Sequence, residues 1–331
     1  MTSPPSPTSP ASAPFALPRL LHDYPALAAS LRGVERAAAT DAPVLILGEP
    51  GSGRSSLARA LHAASRRAAG PLIEVDPGAL PSALFESEFF GYRAGAFTGA
   101  VAAGEGRVAR AAGGTLVLDH VEELPLASQP KLLRLLSERL YAPLGGDETA
   151  ADARFIAIGP EDLTRRVAQG AFRADLYYRL EVVAFRLPSL RERLADLPAL
   201  LHDMLADLGE RFGRPGLTLA PAAQAWMLAH AWPGNLRQLR NVLERDLILG
   251  GAGTTSTPEG PGSTTIDPPP QPALALPAGP SREPPRPLVE VEMEQIRAAL
   301  AYTRGHQGRA ATLLGISRKA LWEKRRRYGI P

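Results

Sequence analysis

The chain has 331 residues, 45% of them hydrophobic, with a formal net charge of +3 and no cysteine; that length holds two or three domains with a real core. The missing cysteines exclude a disulfide framework or thiolate metal site and fit a reducing compartment. No apolar run approaches the ~18 residues of a spanning helix, and residues 1–18 hold no Lys or Arg, so a signal peptide is excluded and a cytoplasmic, membrane-free location is expected. Charge is unevenly placed: residues 288–331 carry nine Lys/Arg and four Glu, the remainder 28 basic and 30 acidic residues. Any nucleic-acid contact is therefore expected at the C-terminal end.

In chain order, residues 1–21 begin rich in Pro, Ser and Ala and read as a disordered lead. An amphipathic pattern from Asp23 to Thr40 predicts a helix. The apolar run 42–47 reads as a buried parallel strand. It feeds Gly48-Glu49-Pro50-Gly51-Ser52-Gly53-Arg54-Ser55-Ser56 and then a helix to about Arg67. Strand, glycine-rich turn and helix form the context of a phosphate-binding loop, with backbone N–H groups and a helix N-terminus facing the anion. Ser55 stands where a hydroxyl would ligate Mg²⁺, and Arg54 where lysine is usual. A guanidinium keeps the charge but not the shape of an ammonium.

Glu86 to Ala100 ends in a string that follows neither a strand nor a helix period. Its second half, Gly95-Ala96-Phe97-Thr98-Gly99-Ala100, reads as a loop tip with one aromatic and one polar contact. A second buried strand, 113–118, ends in Asp119, an acid placed to hold Mg²⁺ beside the phosphate loop. His120 follows, where a carboxylate would polarise water; neutral imidazole can accept a proton, but the exchange is expected to slow hydrolysis. A third strand, 154–158, ends in Gly159-Pro160. Arg173 and Arg179 read either as ion-paired surface groups or as guanidiniums reaching a phosphate across a subunit boundary.

Residues 190–250 read as helical, interrupted at Trp232-Pro233-Gly234-Asn235, with Arg237 near a new helix start. Residues 251–286 turn to Gly, Pro, Ser and Thr and read as a linker. Residues 287–331 resume helix. A Gly315 turn and Ser317 cap lead into a basic helix, a helix-turn-helix pattern. Arg309, Ser317, Arg318, Lys319, Trp322, Lys324 and Arg325 are its candidate DNA contacts.

Together these motifs resemble the bacterial enhancer-binding proteins, the AAA+ activators of sigma-54 RNA polymerase, over almost the whole chain. The resemblance implies an α/β fold: a AAA+ P-loop NTPase at 22–250, with a parallel sheet to about 189 and a helical lid at 190–250. The linker and a small all-α Fis-type helix-turn-helix domain would follow. Gly95–Ala100 would touch sigma-54, chiefly through Phe97 and Thr98. Gly48–Ser56 and Arg237 would bind ATP, and Ser55 and Asp119 would hold Mg²⁺. Asp119, His120 and the arginine fingers Arg173 and Arg179 would act in catalysis. Implied partners are sigma-54 RNA polymerase holoenzyme, enhancer DNA and further subunits in a hexameric ring.

Three positions depart from the family pattern: Arg54 for Lys, His120 for Glu, and Gly159-Pro160 for the sensor Thr-Asn. Each removes a separate contribution to the transition state, so weak or absent hydrolysis is expected. The glycines, Ser55 and Arg237 keep nucleotide binding in place. Two readings follow: an ATP-driven activator, or a nucleotide-binding regulator without effective hydrolysis that represses or joins mixed rings. A chaperone or unfoldase is disfavoured by the helix-turn-helix tail. With about twenty residues ahead of the module, control is expected from a partner, expression level or the nucleotide.

Overall fold

The computed structural model describes residues 16–249, 265–266, 288–303, 306–316 and 318–329. Most of the expected lead and linker, and Ser317, lie outside them. Five strands form the central sheet: β1 (Val44–Gly48), β2 (Leu72–Val75), β3 (Thr115–Leu118), β4 (Arg154–Gly159) and β5 (Val183–Leu187). They pair in the order β2-β3-β4-β1-β5, all parallel.

β1 explains its own unbroken apolar run. Val44 and Ile46 join one core with Ile156, Ile158 and Leu61, while Leu45 and Leu47 join the opposite core with Leu116, Leu118 and Phe155. Side chains alternate faces, so a strand covered on both sides must be apolar throughout. The register sets Leu47 beside Gly159, Leu118 beside Ala157, and Val75 beside Leu118. The residues that follow β1, β2 and β3 therefore meet the end of β4 along one edge, where open parallel sheets bind ligands.

The N-terminal boundary differs from expectation. A helix covers Leu17–Asp23, with Leu17 and Leu20 buried in the core, so the folded part starts within the expected lead. The single helix expected over 23–40 is divided into Pro25–Ser30 and Val34–Ala38. Pro25 drives Tyr24 out of helical geometry (φ −124°, ψ 77°), and Gly33 adopts φ 84°.

The lid contains helices Leu197–Arg211, Pro221–Ala229 and Asn235–Leu249. It is not wholly helical: Thr218–Leu219 pairs in parallel with Thr265–Ile266, inside the expected linker. Residues 271–331 form a separate unit, with helices Leu288–Tyr302, Gln307–Leu313 and Arg318–Arg327. Ile296, Ala299, Leu300, Ala310, Ala311 and Leu321 make its small core. Among the described residues no helix is long and apolar enough to cross a membrane.

Two buried polar side chains brace the sheet. Arg154 is fully buried and donates to the carbonyls of Ala37 (2.8 Å) and Ala38 (3.0 Å), closing the Val34–Ala38 helix. His62 Nδ1 lies 2.9 Å from Thr115 Oγ1. Burial, with the Arg154 charge nearby, holds His62 below the usual imidazole pKa. The unfolded chain then binds more protons than the native state as pH falls through about 6.5. Stability should be full above that pH and decline below it, at up to about 1.4 kcal/mol per pH unit for one group. Urea midpoints at pH 7.5 and 5.5 test this. His62→Gln, which keeps a partner for Thr115 without titrating, should reduce the difference.

Candidate functional site

The glycine loop leaves β1 and enters the helix Arg54–Ala63. Gly51 has φ 78° and Gly53 φ 106°, and a Cβ on Gly51 would stand 2.6 Å from the Gly234 carbonyl. Only glycine serves where positive φ and such close approach coincide. Gly53 caps the helix without a side-chain hydrogen bond, which leaves the first-turn N–H groups available to an anion. The loop borders a cleft of about 540 Å³ also lined by Ser55, Ser56, Asp119, His120 and Arg237. Tyr24, Leu200, Met204 and Leu236 give the cleft a more apolar region.

Ser55 Oγ donates to Asp119 Oδ2 at 2.9 Å. This pair of hard oxygen donors, beside open N–H groups, suits a Mg²⁺-bound polyphosphate. Arg237 lines the same cleft. The expected phosphate and metal residues Gly51, Gly53, Arg54, Ser55, Ser56, Asp119 and Arg237 all line this one cleft.

Other members of the expected set have different tasks. Gly48 offers its carbonyl to Arg54. Glu49 binds Arg191 through both carboxylate oxygens (2.9 and 2.5 Å) and accepts from Asn235 Nδ2 at 3.0 Å. These partners hold its pKa below the usual carboxylate value. The Pro50 carbonyl also accepts from Asn235 Nδ2, at 3.1 Å. Ser52 is buried, and its carbonyl accepts from Arg193 Nη2 at 2.5 Å.

Arg54 departs most from expectation. It is 6% exposed, and Nη1 donates to the carbonyls of Gly48 (2.9 Å) and Gly159 (2.6 Å). Burial lowers its pKa, against the opposing pull of Asp119 and Glu122. Glu122 is itself pushed up by burial.

His120 adopts left-handed backbone angles (φ 54°, ψ 51°), and its N–H donates to Asp119 Oδ1 at 3.0 Å. Its Nδ1 lies 3.2 Å from Asp76 Oδ2. Asp76 immediately follows β2, which pairs with β3. The sequence carries no local sign of this contact because 44 residues separate the two.

Arg173 and Arg179 do not line the cleft. The Arg173 guanidinium is engaged with Asp175 (3.0 and 2.7 Å), and Arg179 donates to the Leu136 carbonyl at 3.1 Å.

Gly95–Ala100 stands on a stalk. The helix Ser82–Phe90 buries Phe85, Phe89 and Phe90, and Gly91–Tyr92 pairs antiparallel with Gly104–Glu105. Between those strands the loop closes on itself through Gly95 N–H to Ala100 O (2.8 Å) and Ala100 N–H to Phe97 O (3.0 Å). Gly95 (φ 81°) and Gly99 (φ 102°) would meet nothing with an added Cβ, so conformation alone requires them. Phe97 is 42% exposed with its ring centroid 5.0 Å from that of Tyr92, and Thr98 is exposed. Ala100 is buried, which makes it a support rather than a presented contact.

In the C-terminal unit Arg309, Arg318, Lys319 and Trp322 are exposed. Lys324, a candidate DNA contact, pairs with Glu292 of this unit's first helix. Arg325 is half-buried, with Nε unpartnered among the described residues. Arg326 stacks over Trp322, 5.6 Å from the ring centroid.

Sequence reasoning also missed two struts under the cleft. Besides holding Ser52 through Arg193, the segment after β5 uses Asp196 to accept from the N–H groups of Ala26 and Leu27, both at 2.9 Å. Tyr24, in the cleft wall, donates to Asp203 of the lid.

Three family models match successive parts of the chain. Residues 20–186 match the sigma-54 interaction domain, 191–259 the AAA+ ATPase lid domain, and 287–328 the bacterial regulatory protein, Fis family. The alginate biosynthesis transcriptional regulatory protein AlgB of Pseudomonas aeruginosa is 42% identical over 92% of this chain and 66% of its own length. The regulatory protein AtoC of Escherichia coli is 39% identical over 94% and 68%. The crystal structure of NtrX from Brucella abortus aligns with a TM-score of 0.65 and 31% identity, over 95% of this chain and 72% of that one. NtrX in complex with ATP gives 0.64 and 32%, over 92% and 68%. The chain spans about two thirds of these curated relatives. It has the AAA+ P-loop fold with a helical lid and a Fis-type helix-turn-helix domain, and it belongs to the sigma-54-dependent bacterial enhancer-binding proteins.

Proposed function

We propose that this chain is a sigma-54-dependent transcriptional regulator. It binds ATP with Mg²⁺ in the cleft and enhancer DNA through Arg309, Arg318, Lys319 and Trp322. It meets sigma-54 through Gly95–Ala100. The observation that carries this reading is the self-closed loop on its aromatic stalk, which exposes Phe97 and Thr98. Supporting the nucleotide assignment, the N–H groups of the Arg54–Ala63 helix start, Ser55 and Arg237 would hold the phosphates, and Ser55 and Asp119 the ion. ATP would supply the phosphate oxygens that the ion and the loop donors hold, and this chain's residues position it. Arg173 and Arg179 lie away from their own cleft, which fits a role at a neighbouring subunit in a ring.

Purified sigma-54 should bind the full chain with ATP present. Phe97→Ala and Thr98→Ala should each weaken that binding about tenfold or more, as exposed anchor contacts do, while leaving the thermal midpoint unchanged. Equal affinity of wild type and both variants overturns the loop assignment. A second reading, regulation without effective hydrolysis and in homo-oligomeric or mixed rings, is favoured by the engaged Arg54 and by His120 facing Asp76.

A further inference from the structure

Arg54 occupies the position where a cation is expected on the phosphates, yet one nitrogen of its guanidinium already serves two backbone carbonyls. These belong to Gly48 at the end of β1 and Gly159 at the end of β4. The strands are neighbours, with Leu47 opposite Gly159. The guanidinium therefore ties together two strand ends at the point where the glycine loop departs.

Three observations argue that this tie is structural. Arg54 lines the cleft but is only 6% exposed, and swinging its guanidinium out toward a phosphate would take the donor from both carbonyls. The Asp119 and Glu122 carboxylates offset part of the cost of burying its charge, although burial still lowers its pKa. On the β4 side, Gly159 carries no side chain and Pro160 has no N–H, so Arg54 supplies the polar group that closes this strand end. Arg237, from the lid helix, lines the cleft, and its side chain has no hydrogen-bond or ion-pair partner among the described residues.

We propose that Arg54 is a structural bolt between β1 and β4 rather than a phosphate ligand, so that it contributes nothing to telling a nucleoside triphosphate from a diphosphate. This rests on the reading of the cleft as a nucleotide site. Selection at the terminal phosphate falls to Arg237 and to the backbone donors of the loop.

The test uses the full chain, with Arg54→Met, which removes every donor, and Arg54→Gln, which is neutral but keeps an amide donor. Thermal unfolding is measured without nucleotide, and Mg²⁺-ATP and Mg²⁺-ADP affinities by calorimetry. The expected result is a midpoint lowered by more than about 2 °C in Arg54→Met, with an ATP-to-ADP affinity ratio within about threefold of wild type in both variants. If Arg54→Met does not fold, Arg54→Gln carries the ratio. An ATP preference that drops beyond threefold overturns the proposal, as does an Arg54→Met midpoint that does not fall. If wild type binds neither nucleotide, the nucleotide reading fails by itself and the nucleotide-free midpoints still decide the bolt.

Discussion

Replacing Asn235 by alanine is expected to lower ATP affinity about tenfold or more and to cost roughly 2–4 kcal/mol of stability. Asn235 is fully buried at the first turn of the lid helix Asn235–Leu249. Its Oδ1 accepts from Leu190 N–H at 2.7 Å, and its Nδ2 donates to Glu49 and Pro50 of the glycine loop. One side chain thus joins the loop, the turn after β5 and the lid. Alanine would strand those groups and would also sit at φ 51°, where a Cβ is unfavourable and asparagine is tolerated. Arg237 lies two residues on, so a loosened joint moves the cation that faces the phosphates. Calorimetry and thermal unfolding check both effects. Asn235→Gly, which accepts the backbone angle but makes none of the bonds, should regain part of the stability and none of the affinity. Wild-type affinity in both variants would mean that the lid is positioned by other contacts.

The second large effect concerns His120. Restoring a carboxylate by His120→Glu alone should raise ATP turnover little, whereas Asp76→Asn with His120→Glu should raise it about tenfold or more over His120→Glu. General-base assistance is worth on the order of 10²–10⁴-fold when the base is ionised and aligned. A glutamate at position 120 would face Asp76, whose Oδ2 now lies 3.2 Å from the imidazole. Two carboxylates at that spacing raise each other's pKa and repel. Asparagine at 76 removes the repulsion and offers an amide donor. Steady-state turnover at saturating Mg²⁺-ATP separates the variants. Equal rates in the single and double variants would place the limit elsewhere, with Pro160 and the Arg54 bolt the remaining departures.

The parts of this molecule that were legible in its sequence are those whose signal is local. The apolar run before Gly48 had to be a doubly covered strand, the glycines of the loop had to bend, and Asp119 had to end its strand. The loop 95–100 was recognisable because its glycines follow no structural period, and its geometry shows why: both take positive φ for conformation alone. What the sequence hid was either non-local or a matter of side-chain direction. Asp76 meets His120 only because β2 and β3 are neighbours. Asp196 reaches Ala26 and Leu27 across 170 and 169 residues. Arg54 was readable as a charge at the phosphate position, but not as a guanidinium bound to Gly159. Lys324 was readable as part of a basic helix, but not as the partner of Glu292. The first helix was missed for a plainer reason: the Pro- and Ser-rich composition of the lead masked Leu17 and Leu20, which bury against the core.

The most direct measurement is Mg²⁺-ATP binding and steady-state ATP hydrolysis on one sample of the full chain at high protein concentration. The arrangement of Arg54, His120 and Pro160 predicts clear binding with turnover well below about 0.1–1 per second, the low end of ordinary enzymes. Binding with turnover in or above that range would contradict it and make the chain an autonomous ATP-driven activator. Absence of binding would remove the nucleotide site from the account altogether.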